Sequence, residues 1–580
     1  MRLTVRPPRA AGFSGGMLTA RWEAENDRTS ETGLVWSGLD GDTDCFSGVL
    51  DTAGYVGLVW YRLTLDGLDG RSWQSAEYQL TVYDGAEHVP DWFGKGVTYQ
   101  IFPDRFCRLS VPDPTGMVGG RWVHQDWWEE PEYRPDEKGE IRNRDFFGGS
   151  LAGITAKLPY LHGLGVETIY LCPIFEAAEN HRYGTADYEK IDPMLGTKED
   201  FAALCLQAHG LGMHVMLDGV FNHTGFVSRY FNGDGFYPGP GACQSQDSPY
   251  RDWFDFQHWP DQYASWWGIY SLPATNKQSR AWLDYITGEN GVIRSWLRAG
   301  ADGWRLDVAD ELPDFVVGAI HAAARAEKPE AVIIGEVWED ASNKVAYSVR
   351  RRHVLGGHCD GVMNYPFRTA VLDFLLGADG ARFRFAMESL RQNYPRWAYY
   401  SAMNALGTHD TVRVLTLLGT GSDQRNQNRD WRAAYRLSPE ERRLAMARLK
   451  LGSLLMYAFP GSPTIYYGDE AGLEGFEDPF NRRPFPWGRE DRELENWFAA
   501  LGRVRRTLSP LREGELEWLR CSGRIIAFAR RLNDEIVVAA VNAGDKPGRV
   551  DLPWDGRLAL APMSGRLYWF GADKEMVSIL

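Results

Sequence analysis

The chain has 580 residues, too many for one hydrophobic core, so the sequence predicts about two to four domains. It carries 78 Asp and Glu against 63 Lys and Arg, and the net charge of −15 argues against nucleic acid or an anionic membrane as partner. No stretch reaches the ~18 apolar residues of a membrane span, and MRLTVRPPRAAGF lacks the apolar segment of a secretory signal. The seven cysteines form no CxxC pair, which is typical of reduced thiols and predicts a cytoplasmic protein.

Residues 1–86 predict an N-terminal β-sandwich. The segment SAEYQLTVYD (75–84) alternates in the manner of a strand, with Tyr78, Leu80 and Val82 on one face. GLVWYRLTL (57–65) precedes it and is separated from it by two Asp-Gly pairs, which favour turns.

The sequence pattern of residues 87–505 predicts alternating strands and helices. One helix is predicted to begin at Lys198, because apolar residues then recur at helical spacing and Gly210 follows. The pattern fails between 224 and 280, where Tyr, Phe, Trp, Asp and Gly dominate, and a loop this long inside a compact domain is uncommon unless it is functional.

Residues 506–580 predict a C-terminal antiparallel β domain. RIIAFARR (524–531) and EIVVAAVNA (535–543) are two apolar, β-prone runs separated by three residues. This spacing predicts a hairpin.

The run GWRLDVADE (303–311) contains the first candidate catalytic pair. Residues i and i+2 of a strand point the same way, so Arg305 and Asp307 face one space together. A guanidinium favours the ionised form of a neighbouring carboxyl, as a carboxylate nucleophile requires. Taken alone, such a pair is more often a structural ion pair.

Three further runs have the same form, a short apolar stretch followed by polar residues: VMLDGVFNH (215–223), VIIGEVWED (332–340) and NALGTHDTVR (404–413). This pattern is typical of buried parallel strands that bring polar side chains to one end of a sheet. From Asp307 to Glu336 is 29 residues, one strand–helix–strand repeat, and from Glu336 to Asp410 is 74, two repeats. The pattern therefore predicts an α/β fold, a (β/α)8 barrel with its active site at the carboxyl ends of the strands.

In this order the four runs resemble the signature regions of the α-amylase superfamily of glycoside hydrolases. The resemblance covers roughly residues 90–490 and includes TYQIFPDRF (98–106), NHRYGTADY (180–188) and DPFNRRPFPW (478–487). VADE after the nucleophile and EVW at the acid resemble the neopullulanase, cyclomaltodextrinase and maltogenic amylase branch. That branch usually has asparagine at position 310 and aspartate at 184, where this chain has Asp310 and Gly184.

The resemblance implies a role for each candidate residue. Asp307 would be the nucleophile, Glu336 the acid/base beside apolar Val337 and Trp338, and Asp410 the third carboxylate, which grips the sugar at subsite −1. His223 and His409 would donate to hydroxyls of that sugar. The predicted substrate-binding residues are Tyr183, which stacks on the −1 ring, Trp338, which stacks on the first acceptor-side glucose, Asp478 and Arg482, which contact glucose at −2, and Asp218, Asn222, His223, Arg305 and His409.

The resemblance also bears on domains, partners and metals. Segment 224–280 would be domain B, one wall of the cleft, and the N-terminal domain would bind glycans, build a homodimer or cap the barrel. Related enzymes often bind calcium through residues after DRF and through an aspartate in a Gly-Gly-Asp-Leu turn. Here CRLSVPDP follows DRF and Ser150 stands in the turn, so no metal or other cofactor is expected.

The predicted function is retaining hydrolysis of α-glucosidic bonds in maltodextrins, cyclodextrins or pullulan through a covalent glucosyl-enzyme intermediate. A 4-α-glucanotransferase or an exo-acting α-glucosidase on the same fold remains an alternative, since both would use the same carboxylates. A non-catalytic carbohydrate-binding or scaffold relative is a third reading. Its mark would be loss of Asp307 or Glu336, and both are present.

Overall fold

The computed structural model describes residues 1–23, 27–137, 139–554, 556–571 and 576–579. Positions 24–26, 138, 555, 572–575 and 580 fall within the predicted domain ranges and lie outside the described residues. In the described part of the chain, no helix combines the length and the apolar character needed to cross a membrane.

The N-terminal strands form an antiparallel sandwich. Strand Arg28–Asp40 pairs through its first half with Phe13–Trp22 and through its second half with Thr43–Val49. This shared strand bends the sheet around an apolar core that includes Leu18, Trp22 and Phe46. The strands are Arg2–Val5, Phe13–Trp22, Arg28–Asp40, Thr43–Val49, Gly57–Gly67, Ser72–Gln74 and Tyr78–Val82.

The predicted barrel is confirmed. Its parallel strands are β1 (Val97–Ile101), β2 (Val166–Leu171), β3 (His214–Gly219), β4 (Gly303–Leu306), β5 (Val332–Gly335), β6 (Gly361–Val362), β7 (Met403–Ala405) and β8 (Ser462–Tyr466). The eight-stranded sheet runs from β6 down to β1, then to β8 and β7. A parallel bridge between Met363 and Met403 joins its two ends and closes the barrel.

Helices surround the barrel and connect its strands. The helix predicted from Lys198 spans Lys198–Gly210, and Thr197 with Asp200 forms a capping box at its start. The others are Leu151–Ala156, Leu158–Gly163, Arg280–Thr287, Val292–Arg298, Asp314–Glu327, Tyr365–Leu376, Gly380–Asn393, Arg396–Ser401, Val414–Thr420, Arg429–Ala434, Pro439–Ala458, Arg492–Thr507 and Ser509–Glu513.

The segment between β3 and β4 forms the inserted domain. The segment leaves the barrel and returns to it at one place, because His223 pairs with Ala274 and the Thr224 amide donates to the Pro273 carbonyl at 3.0 Å. Within the inserted domain, the short strands Phe256–His258 and Gln262–Tyr263 pair with each other. Other loops contain three further short pairs: Trp122–Val123 with Asp145–Phe146, Phe175–Ala177 with Thr185–Ile191, and Val345–Ala346 with Val349–Arg350.

The C-terminal region is antiparallel. The predicted hairpin is confirmed, since Leu532 pairs with Glu535 across the turn, where Asn533 has a φ of 52°. The larger sheet contains Glu515–Ser522, Ile525–Leu532, Glu535–Asn542, Ser564–Phe570 and Met576–Ser578, and a second pair is Gly548–Asp551 with Arg557–Leu560.

The N-terminal sandwich packs on the loop that follows β5. The Gln79 amide donates to Ser342 Oγ and accepts from Asn343 Nδ2, both at 2.8 Å. Arg350 lies 2.8 Å from Glu23 in an ion pair. The loop that carries the candidate acid is thus held by a domain more than 250 residues earlier in the chain.

Close packing of the last barrel helix generates a stability prediction. A Cβ on Gly502 would lie 1.9 Å from the Leu164 carbonyl oxygen, and overpacking costs about 1–3 kcal/mol, so Gly502→Ala should lower the melting temperature. Gly163→Ala is the control, because that helical Cβ would meet nothing within 4 Å and alanine favours a helix. Thermal unfolding followed by circular dichroism checks both, and equal melting temperatures would contradict the close approach.

Candidate active site

One guanidinium lies at the centre of the site. Arg305 on β4 is fully buried and pairs in register with Asp218 on β3. Its Nη1 donates to Asp218 Oδ1 at 2.8 Å and to Asp307 Oδ1 at 2.9 Å. Its Nη2 lies 2.8 Å from Oε2 of Glu336 in an ion pair. The period-two argument for Arg305 and Asp307 is therefore confirmed, and three strands deliver their carboxylates to one cation.

The proton balance of this cluster follows from its charges. Burial, the largest cause, together with the charges of Glu336 and Asp218, raises the pKa of Asp307 well above its ordinary value, and Arg305 acts in the opposite direction. Burial also raises the pKa of Asp218. The single guanidinium therefore does not outweigh the burial of Asp307 and the two like charges beside it. The sequence argument expected Arg305 to favour the ionised form of Asp307, and in the structure burial opposes that effect.

The backbone after Asp307 links the two candidate catalytic carboxyls. Val308 has a φ of 39°, a left-handed conformation that a β-branched residue rarely adopts. The turn directs the Val308 amide to donate to Glu336 Oε2 at 2.7 Å, while Trp338 Nε1 donates to Glu336 Oε1 at 3.1 Å. The strained residue thus helps to fix the candidate acid beside the nucleophile.

A layer of hydrogen-bonded rings lies beside this cluster. Tyr183 donates to Asp218 Oδ2 at 2.9 Å, and its oxygen lies 2.6 Å from His409 Nε2. Tyr170 on β2 also donates to Asp218 Oδ2, at 2.6 Å. The rings of Tyr183 and His409 stack at 5.3 Å. Burial raises the pKa of Tyr183 well above its ordinary value and holds the pKa of His409 well below its own, so both groups are neutral.

His223 presents a neutral imidazole to the cleft. It stacks on Trp266 of the inserted domain at 5.2 Å, and burial lowers its pKa to about 3. Its buried Nε2 has no hydrogen-bond partner among the described residues. The ring can therefore offer its proton to a ligand.

The outer end of the site carries a charged trio. Asp410 Oδ2 lies 3.2 Å from His409 Nε2, and its Oδ1 lies 3.7 Å from Arg482. Arg482 also lies 3.0 Å from Asp478. Arg482 therefore bridges Asp410 and Asp478, both of which face the cleft.

Aromatic residues form one wall of the cleft. Trp338 is 45% exposed and stacks on Tyr365 at 3.7 Å. Trp267 is 76% exposed, stacks on Trp266 at 5.1 Å, and donates from Nε1 to Glu311 Oε1 at 3.0 Å. Sequence reasoning missed this indole–carboxylate contact, although Glu311 ends the run GWRLDVADE and Trp267 lies in the segment 224–280.

Glu179 is a second residue that sequence reasoning missed. A Cβ added to Gly184 would lie 2.5 Å from Glu179 Oε2, so the glutamate fills the space of the side chain that the related branch carries at 184. That oxygen is buried without a hydrogen-bond partner in the described part of the chain. Burial raises the pKa of Glu179 to about 7.

The predicted residues divide into two groups. Nine of them line a cavity of about 960 Å³: Tyr183, His223, Asp307, Glu336, Trp338, His409, Asp410, Asp478 and Arg482. Asp218, Asn222 and Arg305 are buried behind that wall, at 0–2% exposure. In this structure they contact the cleft-lining residues rather than the open space.

The residues at the expected calcium position do not fit a cation. Arg108 extends its guanidinium into the loop and donates to the carbonyls of His124 and Phe147, at 2.8 and 3.2 Å, and of Gln125 at 3.1 Å. Ser150 accepts from the Gly153 amide and caps the helix Leu151–Ala156. Carbonyl oxygens that could bind a metal are thus already occupied by a cationic side chain.

Two other groups in the described ranges bring three metal-type ligands together: His209, His214 and Asp302, and Glu87, His321 and Asp360. Each already contains a cationic partner, because Lys328 contacts Asp302 and Arg325 contacts Asp360, both at 2.5 Å. These contacts are typical of structural ion pairs.

Comparison with known proteins agrees with this geometry. A family model described as the α-amylase catalytic domain matches residues 100–507. The chain is 38% identical over 572 residues to an amylopullulanase of Thermoanaerobacter thermohydrosulfuricus, covering 87% of this chain and 37% of that protein. It is 33% identical over 483 residues to a cyclomaltodextrinase of Geobacillus thermopakistaniensis, covering 81% and 72%.

A solved structure also matches over nearly the whole chain. The type III pullulan hydrolase from Thermococcus kodakarensis superposes with a TM-score of 0.72 at 27% identity, covering 98% of this chain and 96% of that one. The chain spans between 26% and 38% of the length of three amylopullulanases that it matches. The family match over residues 100–507, together with the cyclomaltodextrinase, shows that this chain belongs to the α-amylase family.

Proposed function

We propose that this protein is a retaining glycoside hydrolase that cleaves α-glucosidic bonds in maltodextrins, cyclodextrins or pullulan. The observation that carries the proposal is the contact of Asp307 and Glu336 with the two different Nη atoms of Arg305, at 2.9 and 2.8 Å. The two carboxyls therefore lie beside each other at the cleft. That arrangement suits a nucleophile and an acid that act on one bond.

In the proposed reaction Asp307 attacks the anomeric carbon while Glu336 protonates the departing glycosidic oxygen. Water then attacks the same carbon while Glu336 accepts its proton, and the bond to Asp307 breaks, which regenerates the carboxylate and releases the sugar. Asp410 and His409 would bind hydroxyls of the same sugar, and the anionic surroundings would stabilise the developing positive charge. Arg305 keeps the two catalytic carboxyls oriented through both halves of the cycle.

The shape of the cleft supports an oligosaccharide substrate. Besides the reacting carboxyls, the cavity is lined by Arg142, Arg144, Trp267 and Trp338. Apolar ring faces suit the C–H faces of sugars. The names of the relatives, an amylopullulanase and a cyclomaltodextrinase, favour α-glucans within this class.

Location and assembly are part of the same proposal. All seven cysteines are free thiols, which supports a reducing compartment such as the cytoplasm. We propose a homodimer, supported by the exposed apolar side chains Val35, Trp36 and Leu39 on one strand of the N-terminal sandwich.

Substitution of the two catalytic carboxyls tests the assigned roles. Asp307→Asn and Glu336→Gln should each lower kcat on maltodextrin by several powers of ten, because one removes the covalent step and the other removes proton donation. An α-glucosyl fluoride needs little acid assistance, so it should partly rescue Glu336→Gln and not Asp307→Asn. Unchanged melting temperatures serve as the folding control, and equal rescue of both variants would refute the assignment.

We propose that catalysis needs no calcium, because Arg108 occupies the carbonyls at the expected site. Exhaustive treatment with a calcium chelator should leave both the activity and the melting temperature unchanged. A bound ion at a thousandfold excess over its Kd would otherwise stabilise by about 4 kcal/mol. Arg108→Met should instead lower the melting temperature, since it leaves buried carbonyls without donors. A large chelator-induced drop would show that a metal binds.

The aromatic wall predicts a preference for short or curved substrates. Maltodextrins and cyclodextrins should be cleaved with a kcat/KM about tenfold or more above that of soluble starch, equivalent to ~1.4 kcal/mol of transition-state binding. Trp267→Ala should reduce this ratio. Trp128→Ala is the matched control, a 39%-exposed tryptophan that contacts Arg489 and does not line the cleft. A higher kcat/KM on starch would contradict the proposed substrate class.

A further inference from the structure

Gln100 on β1 is buried directly behind the candidate site. It has no exposed surface, and its Nε2 lies 2.7 Å from Nδ1 of His409. The same nitrogen lies 3.4 Å from Cys172 Sγ, and Oε1 has no hydrogen-bond partner among the described residues. Gln100 does not line the cleft, so its influence on a substrate passes through His409.

The hydrogen bonds on the other side of His409 fix its proton. Tyr183 has one hydroxyl proton, which it donates to Asp218 Oδ2 at 2.9 Å. The Tyr183 oxygen is then an acceptor, and the His409 Nε2 that lies 2.6 Å from it must be the donor. Burial and the positive charges of Arg482 and Arg305 keep the pKa of His409 well below its ordinary value, so the ring carries a single proton. Nδ1 is therefore a bare acceptor, which matches the amide donor of Gln100.

We infer that Gln100 is a positioning residue that holds His409 as the Nε2–H tautomer, so that the one proton of this ring lies on the cleft side, where Tyr183 accepts it in the free protein and a sugar hydroxyl can accept it when substrate binds. The inference rests on the proposed function, because the group served is a hydroxyl of the bound glucosyl unit beside Asp410. A proton on Nδ1 would turn a lone pair toward the cleft instead. His409 would then have no proton on Nε2 to donate, either to Tyr183 in the free protein or to a bound sugar.

Substitutions at position 100 can distinguish a hydrogen-bonding role of Gln100 from a role in core packing. A carboxylate at position 100 can only accept, and it would draw the proton to Nδ1. A methionine at position 100 keeps the volume but offers no donor, and it leaves both tautomers open. Cys172→Ala removes the other neighbour of the amide and does not touch His409, so it serves as the matched control.

The test is the protonation of His409 in the full-length protein without substrate. With ¹⁵N-labelled histidine, two-bond correlations from the ring C–H groups distinguish a protonated from a bare nitrogen, and His409→Gln assigns the signals. Wild-type protein and Cys172→Ala should show Nε2 protonated and Nδ1 bare. Gln100→Glu should move the proton to Nδ1, and Gln100→Met should give a mixture.

Kinetics provide the second readout. Gln100→Glu should lower kcat/KM on maltodextrin by about 10- to 100-fold and Gln100→Met by less, whereas Cys172→Ala should retain the wild-type value.

A bare Nε2 in the wild type would overturn the inference, and so would a folded Gln100→Glu that keeps the wild-type tautomer. If Gln100→Glu does not fold, the tautomer of His409 in the wild type and in Gln100→Met tests the inference instead. A shifted tautomer in a protein that cleaves no α-glucan would refute the proposed function and leave the positioning role intact.

Discussion

The site depends on the ion cluster around Arg305. Three carboxylates from three different strands meet near one guanidinium, and like charges so close together would repel one another if that cation were absent. Loss of the guanidinium would leave these buried negative charges uncompensated, which is strongly unfavourable. The pairing of Asp218 with Arg305 across β3 and β4 shows that the strand register and the charge arrangement are set together. The strand pairing that builds this part of the barrel therefore also places Asp218 beside Arg305.

The walls of the cleft come from segments that are distant in the sequence. Glu311, which follows β4, binds the indole of Trp267 from the inserted domain and the hydroxyl of Tyr347 from the loop after β5. That loop is itself held by Gln79 of the N-terminal sandwich through Ser342 and Asn343. The N-terminal domain therefore helps to hold this part of the cleft in place, although none of its described residues lines the cavity.

Two departures from the branch pattern are compensated by other side chains. Gly184 lacks the usual carboxylate, and Glu179 places its own in the same space. Ser150 lacks the usual metal ligand, and Arg108 supplies a cation to the neighbouring carbonyls. In each case a side chain from another position occupies the space or contacts the groups that the missing carboxylate would serve. This explains how the chain keeps the family architecture although single motif positions differ.

The sequence by itself determined the barrel, the helix from Lys198, the C-terminal hairpin and the facing pair Arg305 and Asp307. These features follow from local periodicity, because the period of a strand or a helix decides which side chains share a face. The same patterns could not separate Asp218, which lies behind the wall, from Asp307, which lines it, since both end a buried strand.

Only the tertiary structure decided the contacts around His409 and Trp267. Gln100 and His409 are 309 positions apart and meet because β1 pairs with β8, while β8 pairs with β7, after which His409 follows. The contacts of Trp267 with Glu311 and of Glu179 with the space at Gly184 likewise depend on how loops fold over the barrel. No periodic pattern encodes such pairs, because hydrogen bonds between distant side chains arise only when the closed barrel fixes their separation.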